Sequence, residues 1–257
     1  SARARSCTSA VAAAVTMPRS PRVVVVSWDP TGVPSERPPL GDLLLLGVAV
    51  VAVSTSAPLI RGADAPALAI AAWRNLLSLP VLGLFVVLRR DLRSAWQGRS
   101  ERDQRLSLVA GALLAAHFAT WIPSLSYTSV ASSVALVATQ PVWAALIARR
   151  RGEQISRRTW MGIGLALAGT LVLTGVDLSI SRRALFGDLL AMVGGMLAAA
   201  YVTVGAEVRR HVTTAVYALA CYATAAVLLL VLCLSTGQVM TGFDRDTWLA
   251  IGALVVG

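Results

Sequence analysis

The sequence predicts an all-α, polytopic membrane protein, an inverted repeat of five-helix units with the second unit truncated in this chain. Three observations predict it. Seven apolar stretches of 18 to 23 residues lie near 43–60, 66–88, 107–126, 129–148, 159–176, 187–206 and 213–235. Each is long enough to cross a hydrocarbon core of ~30 Å as a helix. The arginines cluster in every second gap between these stretches, as they do in loops kept on the cytoplasmic side. The tetrapeptide Gly41-Asp42-Leu43-Leu44, which opens the first stretch, returns as Gly187-Asp188-Leu189-Leu190 at the sixth, 146 residues later.

Composition narrows the function classes. A chain that is 56% hydrophobic with mean hydropathy +0.69 is not an ordinary soluble domain. All 23 basic residues are arginine, and the formal charge is +10. A pI near 11.1 would suit nucleic acid. These charges, however, sit in short loops between apolar stretches, so topology explains them and no nucleic-acid partner is expected. Cys7, Cys221 and Cys233 have no metal or redox spacing. Cys221 and Cys233 lie inside an apolar stretch, where a thiol acts as a small hydrophobe. No metal and no cofactor are expected.

Residues 1–40 are rich in Pro, Arg and Ser and hold no span-length apolar run. They read as a disordered, basic cytoplasmic leader without the apolar core of a signal peptide. With the N-terminus inside, segments 1–40, 89–106, 149–158 and 207–212 carry 18 arginines. The outside loops carry four: Arg61, Arg182, Arg183 and Arg245. That bias sets a multi-pass orientation in the plasma membrane with the N-terminus cytoplasmic. In the first stretch, Asp42 is placed to cap the helix and favour its positive end, as is Asp188 in the sixth.

The second stretch contains Arg74, eight residues in and ~12 Å deep. An arginine there costs ~2.5–3.5 kcal/mol on insertion scales and needs a reason. It is either an anchor for an anionic substrate group or a cation that snorkels outward or binds carbonyls. Asn75 beside it is placed to satisfy a neighbouring helix. In the third stretch His117 is ~15 Å deep, near the midplane. Trp121 and Ser124 follow at i+4 and i+7 on the same face. In the fourth, Gln140 has similar depth and Trp143 follows one turn on. Together they make either the wall of a polar, aromatic substrate cavity or a set of interhelical hydrogen bonds with tryptophan as bulk. An unperturbed imidazole takes up a proton near neutral pH, so His117 is the candidate for proton coupling.

Pro141 cannot donate to the carbonyl of Val137, and Pro80 and Pro123 leave similar free acceptors in stretches two and three. Such breaks are either hinges or fixed kinks. In stretch five, Gly162, Gly164 and Gly169 allow close helix contact. Glu153 lies in the preceding basic loop, where it can pair with Arg149, Arg150, Arg151 or Arg157, or cap the next helix. Glu207 pairs locally with Arg209 and Arg210, and His211 is solvated. In the third stretch Gly111-Ala112-Leu113 recurs as Gly252-Ala253-Leu254, a second sign of duplication. The repeat period is five stretches. An odd number inserts the second copy in the opposite sense, the architecture of many secondary transporters. The run from Trp248 to Gly257 is too short to cross, so the sequence reads as part of a longer chain.

The run Gln140-Pro141-Val142-Trp143, then Gly152-Glu153-Gln154-Ile155-Ser156, then Trp160-Met161-Gly162-Ile163-Gly164 and Gly169-Thr170-Leu171 resembles the EamA domain of the drug/metabolite transporter superfamily. Pro141, Gly152 and Glu153 carry its motif, and Arg74 is similar to that family's helix-two arginine. The resemblance covers about 41–257. It implies ten helices in two inverted five-helix repeats and transport of small metabolites through a central cavity. On this basis residues 41–176 are the first repeat and 187–257 the start of a second, incomplete one. The expected activity is alternating-access transport, with a small-molecule metabolite, the lipid bilayer and protons as partners. The competing classes are a non-transporting membrane scaffold or truncated pseudo-transporter, and an integral membrane enzyme. Against the enzyme, the loops offer arginine rather than nucleophiles and acids. No Gly-x-Ser-x-Gly, Walker loop or metal-spaced His/Glu set is present.

Overall fold

The computed structural model describes residues 40–88, 100–174 and 181–255. The basic leader, up to residue 39, and Cys7 lie outside the described residues, as do arginines 89, 90, 93 and 99 of the second inside segment. The described residues form helices with no strand: α1 (Leu40–Gly62), α2 (Ala67–Leu88), α3 (Glu101–Ser124), α4 (Val130–Val137), α5 (Gln140–Arg150), α6 (Arg157–Thr174), α7 (Arg182–Val208), α8 (Thr214–Ser235) and α9 (Arg245–Ala253). Five segments are long and apolar enough to cross a membrane: α2, α3, the continuous stretch Val130–Arg150, α7 and α8. The protein is therefore a multi-pass membrane protein. Only helices, with all backbone bonds made within the segment, suit such a setting among open chains.

The helix starts follow from side chains that satisfy the first free N–H groups. Ser100 Oγ accepts from the Asp103 N–H at 3.0 Å and donates to Asp103 Oδ2 at 2.7 Å, closing a reciprocal cap on α3. Ser129 accepts from the Ser132 N–H on α4. Ser181 does so from Ala184 on α7, and Asp244 from Thr247 on α9. The cap expected of Asp188 is thus Ser181's. The helix begins a turn and a half earlier, and Asp188 lies within it, half-buried, with Oδ1 unpartnered among the described residues.

Packing centres on α3, α7, α2 and α8. The closest pairs are α3 with α7, α2 with α8 and α3 with α8; α4 and α5 lie along α7, and α9 touches α1 and α2. The core is made of small residues on α2, α3 and α8, among them Ala71, Ala72, Ala110, Cys221 and Ala225, closed by Ile70, Phe118, Ile122 and Leu229. A Cβ on Gly111 would stand 2.5 Å from Thr224 Cβ and 2.8 Å from the Cys221 carbonyl, so α3 and α8 meet through a hydrogen at that point. Outward sides are apolar, with Val50, Val53, Leu84, Leu165 and Val231 exposed.

Alternate loops meet at opposite ends of the bundle. At one end Arg61 Nη1 donates to the Leu125 carbonyl at 2.6 Å and Arg183 Nη2 to that of Ser126 at 3.1 Å. There too the Asp64 N–H donates to Thr247 Oγ1 and Trp73 Nε1 to the Met240 carbonyl. At the other end Glu207 pairs with Arg102 at 3.5 Å and Arg210 at 3.8 Å, and His211 Nδ1 lies 3.5 Å from Asp103 Oδ1.

Three local expectations are corrected. Nothing lies within 4 Å of a Cβ placed on Gly162, Gly164 or Gly169. Helix α6 has its main contact with α4, and these glycines mediate no close helix contact among the described residues. Asn75 does not serve a neighbouring helix. Its Nδ2 donates to the Ala71 carbonyl of its own helix at 2.8 Å. Glu153 makes no ion pair among the described residues, and the cap of α6 is Ser156, which accepts from the Thr159 N–H at 3.1 Å.

Candidate functional site

The i, i+4 spacing of His117 and Trp121 puts both rings on one face of α3. They stack with centroids 5.6 Å apart and planes 11° from parallel. His117 also meets Phe118 at 5.0 Å, tilted by 49°. From α2 the guanidinium carbon of Arg74 lies 4.6 Å above the Phe118 ring. Arg74 and His117 are 5% and 7% exposed, so the arginine does not snorkel to the surface. Its cation rests on an aromatic face inside the bundle, an attraction worth ~2 kcal/mol or more where water is absent. Arg74, Phe118, His117 and Trp121 therefore form one continuous array across α2 and α3.

The array closes on α7. His117 Nδ1 lies 2.9 Å from the Gly194 carbonyl. An oxygen there can only accept, so Nδ1 carries the hydrogen. Gly194 makes the approach possible: a Cβ on it would stand 3.1 Å from Trp121 Cβ. Its neighbour Gly195 faces the other way, where a Cβ would meet the Val137 carbonyl at 3.1 Å and that of Leu136 at 3.2 Å. Those carbonyls end α4. In the fourth span the regular helical bonding lapses for two residues before Pro141, α4 ending at Val137 and α5 starting at Gln140 with Pro141 in its first turn. Ala138 and Thr139 between them keep right-handed helical angles, so the span runs on with a local break. Proline suits that place because a first-turn N–H has no helical acceptor. Pro80 instead lies inside a continuous α2, and Pro123 in the last turn of α3.

Gln140 and Trp143 lie at this break. Trp143 Nε1 donates to Thr139 Oγ1 at 3.0 Å, and Thr139 Oγ1 donates to the Leu136 carbonyl at 2.6 Å. Gln140 is half-buried. No hydrogen bond or ring contact joins these two to His117 or Trp121 among the described residues. His117 and Trp121 meet α7 at Gly194, and Leu136 and Val137, just before the break, meet it at Gly195. Ser124 is occupied structurally: its Oγ lies 2.7 Å from Ser133 Oγ and ties the end of α3 to α4. The buried polar atoms without a hydrogen-bond partner among the described residues include the donor Trp121 Nε1 and the acceptor Asn75 Oδ1.

The Gly152-Glu153 turn is explained by backbone geometry. Gly152 has φ +86°, which L side chains adopt at a cost. The Gly152 N–H donates to the Arg149 carbonyl and the Glu153 N–H to that of Ala148, the paired closure of a helix C-terminus. Three residues on, Ser156 starts α6. The motif thus stops one helix and begins the next within five residues.

Sequence reasoning gave no structural role to Phe118, Thr139, Gly194 or Gly195. The signal for the glycines was their adjacency in the middle of a 27-residue helix, where one glycine already costs ~1 kcal/mol against alanine. Phe118 gave none, because i+1 places it off the His117 face.

An uncharacterized transporter from Archaeoglobus fulgidus is 29% identical over 160 residues, which are 59% of this chain and 53% of that protein. The chain spans about half the length of that curated relative. The sequence matches the EamA-like transporter family over residues 39–175, more than half of the chain and the whole of α1 to α6. Because that match takes in more than half of the chain, with α1 to α6 and the glycine turn inside it, this chain belongs to the EamA-like transporter family.

Proposed function

We propose that the full-length protein moves a small metabolite by alternating access, two inverted five-helix halves rocking about a site at mid-membrane depth. The observation that carries this reading is the buried donor Trp121 Nε1, left without a hydrogen-bond partner among the described residues while its ring stacks on His117. A native fold keeps such a group unsatisfied only for a reason, and a passing ligand or water is one. Interrupted spans are where transporters of inverted-repeat design hold their substrates. In this proposal His117, Trp121 and Arg74 bind the substrate from one side, and Gln140 and Trp143 line the break below. Residues 41–176 form the first repeat and 187–257 begin the second. The N-terminus is cytoplasmic, the membrane is the plasma membrane, and a proton or substrate gradient supplies the energy.

The packing supports the repeat. Exchange α1 with α7, α2 with α8 and α3 with α9. The pair α3–α7 becomes α9–α1, α3–α8 becomes α9–α2, and α2–α8 maps onto itself. All of these contacts occur. The test is uptake by the full-length protein reconstituted in liposomes, screened against a metabolite mixture under imposed pH gradients. Accumulation of a defined compound, abolished by Arg74→Ala with His117→Ala, is expected. Accumulation unchanged in that pair removes the site, and uptake indifferent to the pH gradient removes proton coupling.

A further inference from the structure

Between α5 and α7, toward the arginine-rich end, lies a cavity of about 550 Å³ lined by Trp143, Leu146, Ile147, Arg149, Arg150 and Met196. Its two chemistries are separated along its length. Met196 is near the middle of α7, ~18 Å of helix rise before Val208. Arg149 and Arg150 end α5 and are exposed. The floor is therefore apolar from mid-membrane to the interface, and the rim carries two guanidinium groups. Neither arginine forms an ion pair among the described residues.

A small soluble anion gains nothing from a floor that runs to mid-membrane. A zwitterionic lipid gains little from two adjacent cations at one rim. We propose that this groove binds an anionic phospholipid of the leaflet that meets the arginine-rich end. Arg149 and Arg150 hold the phosphate through their forked N–H donors. One acyl chain lies along Ile147, Leu146, Trp143 and Met196, whose unbranched thioether adapts to an irregular chain. Trp143 is bonded to Thr139 at the break between α4 and α5, so the bound lipid braces α5 against α7. The groove shares Trp143 with the proposed solute path, and its test reads lipid retention and quenching rather than transport.

The test uses full-length protein in nanodiscs containing phosphatidylglycerol and phosphatidylcholine, with lipids retained on extraction counted by native mass spectrometry. Preference for phosphatidylglycerol should fall roughly 30-fold in Arg149→Ala/Arg150→Ala, and stay in Arg102→Ala/Arg105→Ala, which removes equal charge at the same end. In wild-type protein, spin-labelled phosphatidylglycerol should quench a tryptophan component that Trp143→Phe removes, whereas spin-labelled phosphatidylcholine should not. Equal losses in the two double variants, equal retention of the two lipids, or equal quenching by both overturns the proposal. So does displacement of the lipid by equimolar glycerol 3-phosphate, which would make the occupant a free anion.

Discussion

Arg74 holds its guanidinium over the Phe118 ring inside a bundle of apolar helices, a place where a charge is kept for use. Arg74→Ala is expected to lower transport roughly 10- to 100-fold, the worth of a charge-assisted hydrogen bond to a substrate anion. Arg74→Lys should not restore it, because an ammonium does not present the planar fork that rests on a ring. Initial rates in proteoliposomes check both. Trp121 gives a sharper contrast. Trp121→Phe keeps an aromatic ring against His117 but deletes the orphan N–H. Transport should fall while thermal unfolding in detergent is unchanged or rises by ~1 kcal/mol. Equal falls in both would make Trp121 mere packing. Much of this array was legible in the sequence, since Arg74 and His117 stand out in apolar runs and Trp121 follows at helical spacing. Phe118 was not, because an aromatic in an apolar run looks like any other core residue.

At the level of elements, the helix ends and crossings are set by a few backbone positions. Gly111 meets the backbone of α8, whereas Gly164 meets nothing. Gly111→Ala should therefore destabilise the protein by ~1–3 kcal/mol, as overpacking does. Gly164→Ala should be neutral or stabilising by ~0.5–1 kcal/mol through helix propensity. Unfolding midpoints in one detergent compare them. Gly152→Ala should cost ~1–2 kcal/mol for the left-handed conformation it must adopt. Outside the spans, the Thr247 hydroxyl and N–H hold the Asp244 carboxyl below its ordinary range. Its folded-state pKa is depressed, so its cap on α9 is fully present above the ordinary carboxylate pKa and is lost as pH falls through the lowered value. Asp244→Asn should remove that acid-dependent step from the unfolding curve. The spans were readable from length and hydropathy. The lapse in bonding before Pro141 was legible too, whereas proline marks a lost hydrogen bond without saying that Ala138 and Thr139 keep helical angles through it. The close packing assigned to Gly162, Gly164 and Gly169 was misplaced on α6, since small residues permit contact but do not show which helix faces them.

Across the whole molecule, alternation of the arginines and alternation of the loop contacts agree. Arg61 and Arg183 gather on the turn after α3, while Arg102, Glu207 and Arg210 gather at the opposite end. Seven crossings were expected from apolar length, and five of them (α2, α3, Val130–Arg150, α7 and α8) are long and apolar enough in the structure, whereas α1 and α6 are not among these. Which spans touch was not legible, because in lipid every apolar face is equally at ease and small-residue fit decides. The central claim is that the middle of this bundle borders a water-filled path. The most direct measurement places single cysteines at 121 and 140 in full-length protein whose native cysteines, Cys7, Cys221 and Cys233 among them, are replaced by alanine. Each is then probed in intact membranes with a hydrophilic, impermeant thiol reagent and with a lipophilic maleimide. Reaction of both positions with the hydrophilic reagent, slowed by transported solute, is the predicted result. Reaction with the lipophilic reagent alone would contradict it.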